Sequence, residues 1–118
     1  MKILIADDAA FMRMRLRKLL EAEQFEVIEA ADGQQAVAMY QEQHPAIVLM
    51  DITMPEMDGV TACQTICQAD PNAKVVMVSA LGQQAMIVSA MQAGAKDFVV
   101  KPYEPQRILQ AVGKWTGP

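Results

Sequence analysis

Ile47-Val48-Leu49-Met50-Asp51 decides the fold: four apolar residues without alternation, followed at once by a carboxylate. A strand wet on one face alternates apolar and polar residues, so this unbroken run reads as a strand buried on both faces. Four more strand candidates surround it: Ile3-Leu4-Ile5-Ala6, Phe25 to Ala30, Val75-Val76-Met77-Val78 and Asp97-Phe98-Val99-Val100. Five helix-compatible segments alternate with them. Asp8 stands where an N-cap belongs, and Met12, Leu16, Leu19 and Leu20 draw one apolar stripe behind it. Gln34 to Gln43 is helical in composition, set between the turn pair Asp32-Gly33 and the stop His44-Pro45. Val60 to Gln68 and Gln83 to Ala93 are the next two, the latter with Gly94 at its C′ position. Pro105 opens a closing helix that runs to about Val112, leaving Gly113 to Pro118 as a short tail or the stub of a cut linker.

Strand and helix in strict alternation, with apolar strands, imply an α/β protein. Its sheet is a doubly wound (βα)5 sheet of five parallel strands, covered by helices on both faces and joined by right-handed crossovers. The 118 residues, 53% hydrophobic and 20% charged, fit one domain over 1–118 with ample material for a core. No apolar run approaches the roughly 18 to 20 residues of a membrane span. Met1-Lys2 is followed by only four apolar residues and then two aspartates, which is no secretory signal. Two cysteines exclude a disulfide scaffold, and a net charge of −4 argues against a nucleic-acid partner held by phosphate contacts. The expectation is a soluble, cytoplasmic monomer with neither membrane nor nucleic acid as partner.

Open α/β sheets build their sites at the carboxyl ends of the strands. There the sequence places Asp7 and Asp8 after the first strand, Asp51 after the third, Ser79 after the fourth and Lys101 after the fifth. Three neighbouring carboxylates repel, so either their pKa values rise or a cation sits among them. Oxygen ligands at a partly hydrated site favour a hard divalent ion, Mg²⁺ above others. A carboxylate beside such an ion and a lysine is arranged to receive a phosphoryl group. Lys101 would neutralise its oxygens and Ser79 would donate a hydrogen bond to one of them. Asp51, alone on the central strand, is the nucleophile on this reading, with Asp7 and Asp8 as the metal pair.

The Asp7-Asp8 pair, Met50-Asp51-Ile52-Thr53-Met54-Pro55-Glu56-Met57-Asp58-Gly59, Ser79-Ala80 and Gly94-Ala95-Lys96-Asp97-Phe98-Val99-Val100-Lys101-Pro102 together resemble the receiver domain of two-component response regulators. The resemblance covers the whole chain. It implies the flavodoxin-like strand order 2-1-3-4-5, phosphorylation of Asp51 by a histidine kinase, and Mg²⁺ held by Asp8, Asp51 and the Thr53 carbonyl, with Asp7 acting through water. It further implies phosphoryl contacts from Ser79 and Lys101, a switch formed by Ser79 and Phe98, and a cis Lys101-Pro102 bond. Asp7 to Arg13 and Ser79 to Met86 are similar to stand-alone chemotaxis regulators of the CheY type. The implied partners are then a CheA-like kinase as phosphodonor, a flagellar motor switch protein or another output target, and a phosphatase. Two positions depart from the family pattern: Phe98 lacks the hydroxyl of the tyrosine often found there, and Leu81 replaces a commonly polar residue that helps orient an attacking water.

Other features have plainer readings. Arg13, Arg17 and Glu21 lie at helical spacing and read as a solvated face with ion pairs, although Arg15 and Lys18 add to its basic character. Cys63 and Cys67, one turn apart, read as small buried hydrophobes. Met86, Ile87, Val88 and Met91 make the fourth helix apolar on more than one side and are the expected partner surface; the resemblance implies that the last strand, with Phe98, shares it. The expected activity is self-catalysed phosphorylation and dephosphorylation at Asp51 without enzymatic turnover. Two alternatives differ from this: a receiver cut from a regulator with a DNA-binding or enzymatic output domain, and a Mg²⁺-dependent aspartyl phosphohydrolase. The loops are short for the cap that the second would need. A flavodoxin-like cofactor binder is disfavoured, because the first loop lacks the glycines, serines or threonines of a phosphate cradle.

Overall fold

Five parallel strands stand in the order β2-β1-β3-β4-β5, as the resemblance implied. The computed structural model describes residues 1–117. Its elements are β1 (Lys2–Ala6), α1 (Ala10–Glu21), β2 (Glu26–Ala30), α2 (Gly33–Gln43), β3 (Ile47–Met50), α3 (Gly59–Ala69), β4 (Val75–Ser79), α4 (Gln84–Gln92), β5 (Asp97–Val100) and α5 (Pro105–Thr116). Every residue of β3 and β4 is buried, as strands covered on both faces must be.

The period-two alternation of side chains divides the interior into two layers. Ile3, Ile5, Leu49, Val76, Val78 and Val99 pack with Leu16 and Leu20 of α1 and with Ile108, Ala111 and Val112 of α5. Leu4, Val48, Met50, Met77 and Phe98 face the other way, onto α2, α3 and α4. Two registers matter for the site. Ala6 pairs with Met50, so Asp7 and Asp51 leave adjacent strands at the same level. Ser79 pairs with Val100, which sets Ser79 beside Lys101.

Two local expectations need correction. Ala9, not Asp8, is the N-cap of α1, and no side chain caps that helix. Asp7 holds the turn instead, accepting the Ala9 N–H at 2.9 Å, and Asp8 is left exposed. The closing helix continues past Val112 to Thr116, because Trp115 still packs on the α1/α5 layer. The supposed tail is therefore helical as far as Thr116, and Pro118 lies outside the described residues. Asp32 caps α2 through the Gln35 N–H and Asp58 caps α3 through the Thr61 N–H, so both helices begin at glycine.

Gly94 stands at φ +114°, a region L side chains rarely adopt, which suits its place just past α4. The Cys63 and Cys67 thiols lie 3.8 Å and 3.7 Å from the Ala93 and Gly94 carbonyl oxygens. Burial pushes the Cys63 thiol up to about 12. The small buried hydrophobe expected at both positions describes Cys63, whereas Cys67 is only half-buried.

Gly59 matters most for the site, since a Cβ there would collide with the Asp51 carbonyl oxygen. Gly59→Ala is expected to destabilise the fold by roughly 1–3 kcal/mol through that overpacking. Gly113, with nothing within 4 Å of the place its Cβ would occupy, sets the contrast. Gly113→Ala should stabilise by about 0.5–1 kcal/mol, as for any unstrained helical glycine. Denaturant unfolding of the two variants checks both signs.

Candidate functional site

The carboxyl rim brings together the residues that the sequence placed after the strands. Asp7, Asp8 and Asp51 each offer a carboxylate oxygen, and these oxygens lie within 4.8 Å of one another. Asp7 is buried, Asp51 partly so and Asp8 exposed. The Lys101 ammonium reaches in from β5, 2.8 Å from Asp7 Oδ2 and 3.6 Å from Asp51 Oδ2. Its side chain is only 15% exposed, so this pairing is shielded from water and salt far more than a surface bridge would be.

Hydrogen bonds fix the carboxylates further. Asp7 Oδ1 accepts from the Ala9 N–H, and Asp51 Oδ1 accepts from the Ile52 N–H at 2.8 Å. The backbone of Asp51 is tied to β1 by its N–H on the Ala6 carbonyl, and that of Gly59 to the loop by its N–H on the Ile52 carbonyl, both at 2.8 Å. Thr53 lies in this loop, exposed, between the buried Ile52 and Met54. A groove of about 460 Å³ opens beside it, lined by Met54, Val60 and Met86 among others.

Burial dominates the Asp51 carboxyl and, with the nearby Asp7 charge, holds its pKa above the ordinary value, although Lys101 draws it down. Burial works against the Lys101 charge too. The hydrogen bond to Asp7 and the attraction of Asp51 outweigh it, so the ammonium's pKa is raised. Three carboxylates and one ammonium leave two negative charges on the rim. The donor set is all oxygen, which suits a hard divalent cation.

Arg13 plays a part that sequence reading missed. It pairs with Glu29 at 2.8 Å as part of the expected ion-paired face, which also includes Arg17 with Glu29 and Glu21. It also donates to the Asp7 backbone carbonyl at 2.6 Å, bracing the loop that carries two of the acids. The signal available was its place one turn into the helix that this loop feeds.

Ser79 is buried at the end of β4, and its Oγ accepts from the Leu81 N–H at 3.1 Å. The Lys101-Pro102 bond is cis. Phe98 does not belong to the surface it was expected to share. Its side chain points from β5 into the α2–α4 layer and is 9% exposed, because its register partner Met77 faces the same way. On α4, Met86 and Ile87 are half-buried against that layer, while Val88 and Met91 are exposed.

A model of the response regulator receiver domain matches residues 3–113. The chain is 55% identical over 114 residues to the chemotaxis protein CheY of Bacillus subtilis, covering 96% of this chain and 95% of that one. It is 53% identical, with the same coverage, to the chemotaxis protein CheY of Thermotoga maritima. Among solved structures, a CheX–CheY–BeF3–Mg²⁺ complex from Borrelia burgdorferi aligns at TM-score 0.91 and 40% identity, over 96% of this chain and 87% of that one.

A carboxyl whose pKa is raised by folding favours the folded state while protonated and opposes it once ionised. Asp51→Asn is therefore expected to stabilise the metal-free fold at pH 7. The gain should shrink as pH falls through the raised pKa and vanish below the ordinary aspartate range. Denaturant midpoints of the two proteins between pH 3 and pH 8 measure it, and a destabilised variant at pH 7 would contradict the assignment.

Proposed function

The chain belongs to the response regulator receiver domain family, a phospho-accepting signalling switch, and from that premise we propose that Asp51 is its phosphoryl acceptor. One observation carries the assignment: Lys101 Nζ stands between Asp7 and Asp51, with Asp8 completing the oxygen cluster. Asp51 Oδ attacks the phosphorus of a donor phosphohistidine, the electron pair of the phosphorus–nitrogen bond goes to the nitrogen, and the imidazole, already protonated on its other nitrogen, leaves neutral. Asp51 leaves the central strand of the rim, and its short loop is pinned by Gly59, so the nucleophile is held in place before the donor arrives. Lys101 meets the negative charge of the transferring group, and Ser79 donates its hydroxyl proton to a phosphoryl oxygen.

Asp8, Asp51 and the Thr53 carbonyl would hold Mg²⁺, with Asp7 acting through water. When bound, the ion supplies positive charge for the phosphoryl oxygens. The likeness to the chemotaxis proteins supports the setting we infer: a chemotaxis switch in the cytoplasm, phosphorylated by a CheA-like histidine kinase and read by a flagellar motor switch protein or another target. The Borrelia complex joins a CheY to CheX, and we assign a partner of that kind the role of phosphatase. The output face on this reading is Val88 and Met91 with the half-buried Met86 and Ile87 behind them. Phe98 acts from within, as the buried ring that responds when Ser79 moves.

Incubation with acetyl phosphate and Mg²⁺, followed by intact-mass measurement, tests the acceptor. One phosphoryl group per chain is expected, none in Asp51→Asn and none after chelation of the metal. Beryllofluoride with Mg²⁺ should move the amide resonances of Ser79 and Phe98. Sustained hydrolysis of a phosphate ester, or uptake undiminished in Asp51→Asn, would sink the reading.

A further inference from the structure

The loop that follows Ser79 is held from two sides. Leu81 packs its side chain against the α2–α4 layer that contains Phe98. Gly82 lies flat on Val100: a Cβ at Gly82 would stand 2.9 Å from one Val100 methyl and 3.1 Å from the other. Val100 is the sheet partner of Ser79, and the Lys101 N–H that follows it donates to the Ser79 carbonyl at 2.9 Å. Val100 thus adjoins both Ser79 and Lys101, the two residues assigned to the phosphoryl oxygens. Yet it is 45% exposed and belongs to neither core layer.

A serine hydroxyl has one proton to donate and two lone pairs with which to accept. The Leu81 N–H occupies one lone pair of Ser79 Oγ. That bond biases the hydroxyl proton away from the loop. It lasts only while Leu81 and Gly82 keep their place, and the Val100 methyls are what Gly82 rests on.

We propose that Val100 is a positioning residue for phosphoryl recognition: through Gly82 it holds the Leu81 N–H on the Ser79 hydroxyl, which presents its proton to the group on Asp51. The inference rests on the assignment of Ser79 as a phosphoryl contact made above. With the methyls removed the loop gains freedom, and binding must order it again, which costs affinity rather than fold stability.

The test measures beryllofluoride binding in the presence of saturating Mg²⁺, and Mg²⁺ binding alone, both by amide chemical-shift titration. Wild type, Val100→Ala and Val100→Thr are compared, with thermal melting of each. Val100→Ala is expected to weaken beryllofluoride binding by about three- to tenfold while Mg²⁺ affinity stays at the wild-type value. Val100→Thr, which keeps the branched shape, should restore beryllofluoride binding. Equal affinities in wild type and Val100→Ala, parallel losses for both ligands, or failure of Val100→Thr to rescue would each overturn the proposal. Absence of beryllofluoride binding by the wild type would instead overturn the acceptor assignment, and this inference with it.

Discussion

One ammonium holds the rim together. Lys101 stands at 2.8 Å from Asp7 and 3.6 Å from Asp51, and all three side chains are largely withdrawn from water. Removing carboxylates from water is costly unless positive charge meets them, and a single lysine cannot neutralise three. The rim is therefore built with an uncompensated charge of two, and Asp8 is the carboxylate that opens to solvent. That deficit is what a divalent cation fits. Burial first, and then the neighbouring Asp7 charge, explain why Asp51 resists ionisation although a lysine lies beside it.

The rim exists only because the strands are parallel and in register. Ala6 opposite Met50 brings Asp7 and Asp51 to one level, and Ser79 opposite Val100 sets Ser79 beside Lys101, so the register gathers residues as far apart in the chain as Asp7 and Lys101, 94 residues. A slip of one residue in β3 would turn the apolar set of that strand over and carry Asp51 out of reach of Lys101. The double layer of buried side chains guards against this, since both faces of β3 are committed to packing. Fold and site are thus specified by the same apolar runs.

The five strands, the placement of Asp7, Asp8, Asp51, Ser79 and Lys101, and the ion-paired face of α1 were legible because each depends on chain-local pattern. Unalternating apolar residues define strands, and the residue after a strand must stand on the rim. Other features were not legible for equally physical reasons. Asp8 had the composition of an N-cap, but a carboxylate can serve the helix or the rim, and only the turn geometry shows that Asp7 takes the Ala9 N–H. Arg13 was read by its helical neighbours alone, whereas its bond to the Asp7 carbonyl crosses from the helix to the preceding loop. Phe98 was assigned to the surface because the resemblance places the last strand there. Its register beside Met77 sends it inward instead. The extent of α5 turned on one side chain, Trp115, whose partners lie elsewhere in the chain.

The helices differ in how firmly they are held, and the difference falls where a switch needs it. α3 buries Gly59, Ala62, Cys63 and Ile66, and its N-terminus is capped by Asp58. α4 buries only Ala90 among its nine residues and has no side-chain cap. Local opening is easiest where few apolar contacts are buried, so α4 is the element cheapest to repack. It is also joined to Ser79 by the short loop through Leu81, and Met86, Ile87 and Leu81 adjoin the layer that contains the Phe98 ring. On the proposed assignment, phosphorylation of Asp51 puts more negative charge on a rim already two charges short of neutrality, and the uncharged Ser79 hydroxyl would answer by moving. Any such movement draws on the loop, and space opened behind Ser79 is space that Phe98 can enter. On the same proposal, the change would pass to the helix least firmly held, whose exposed Val88 and Met91 would be the side chains a partner meets.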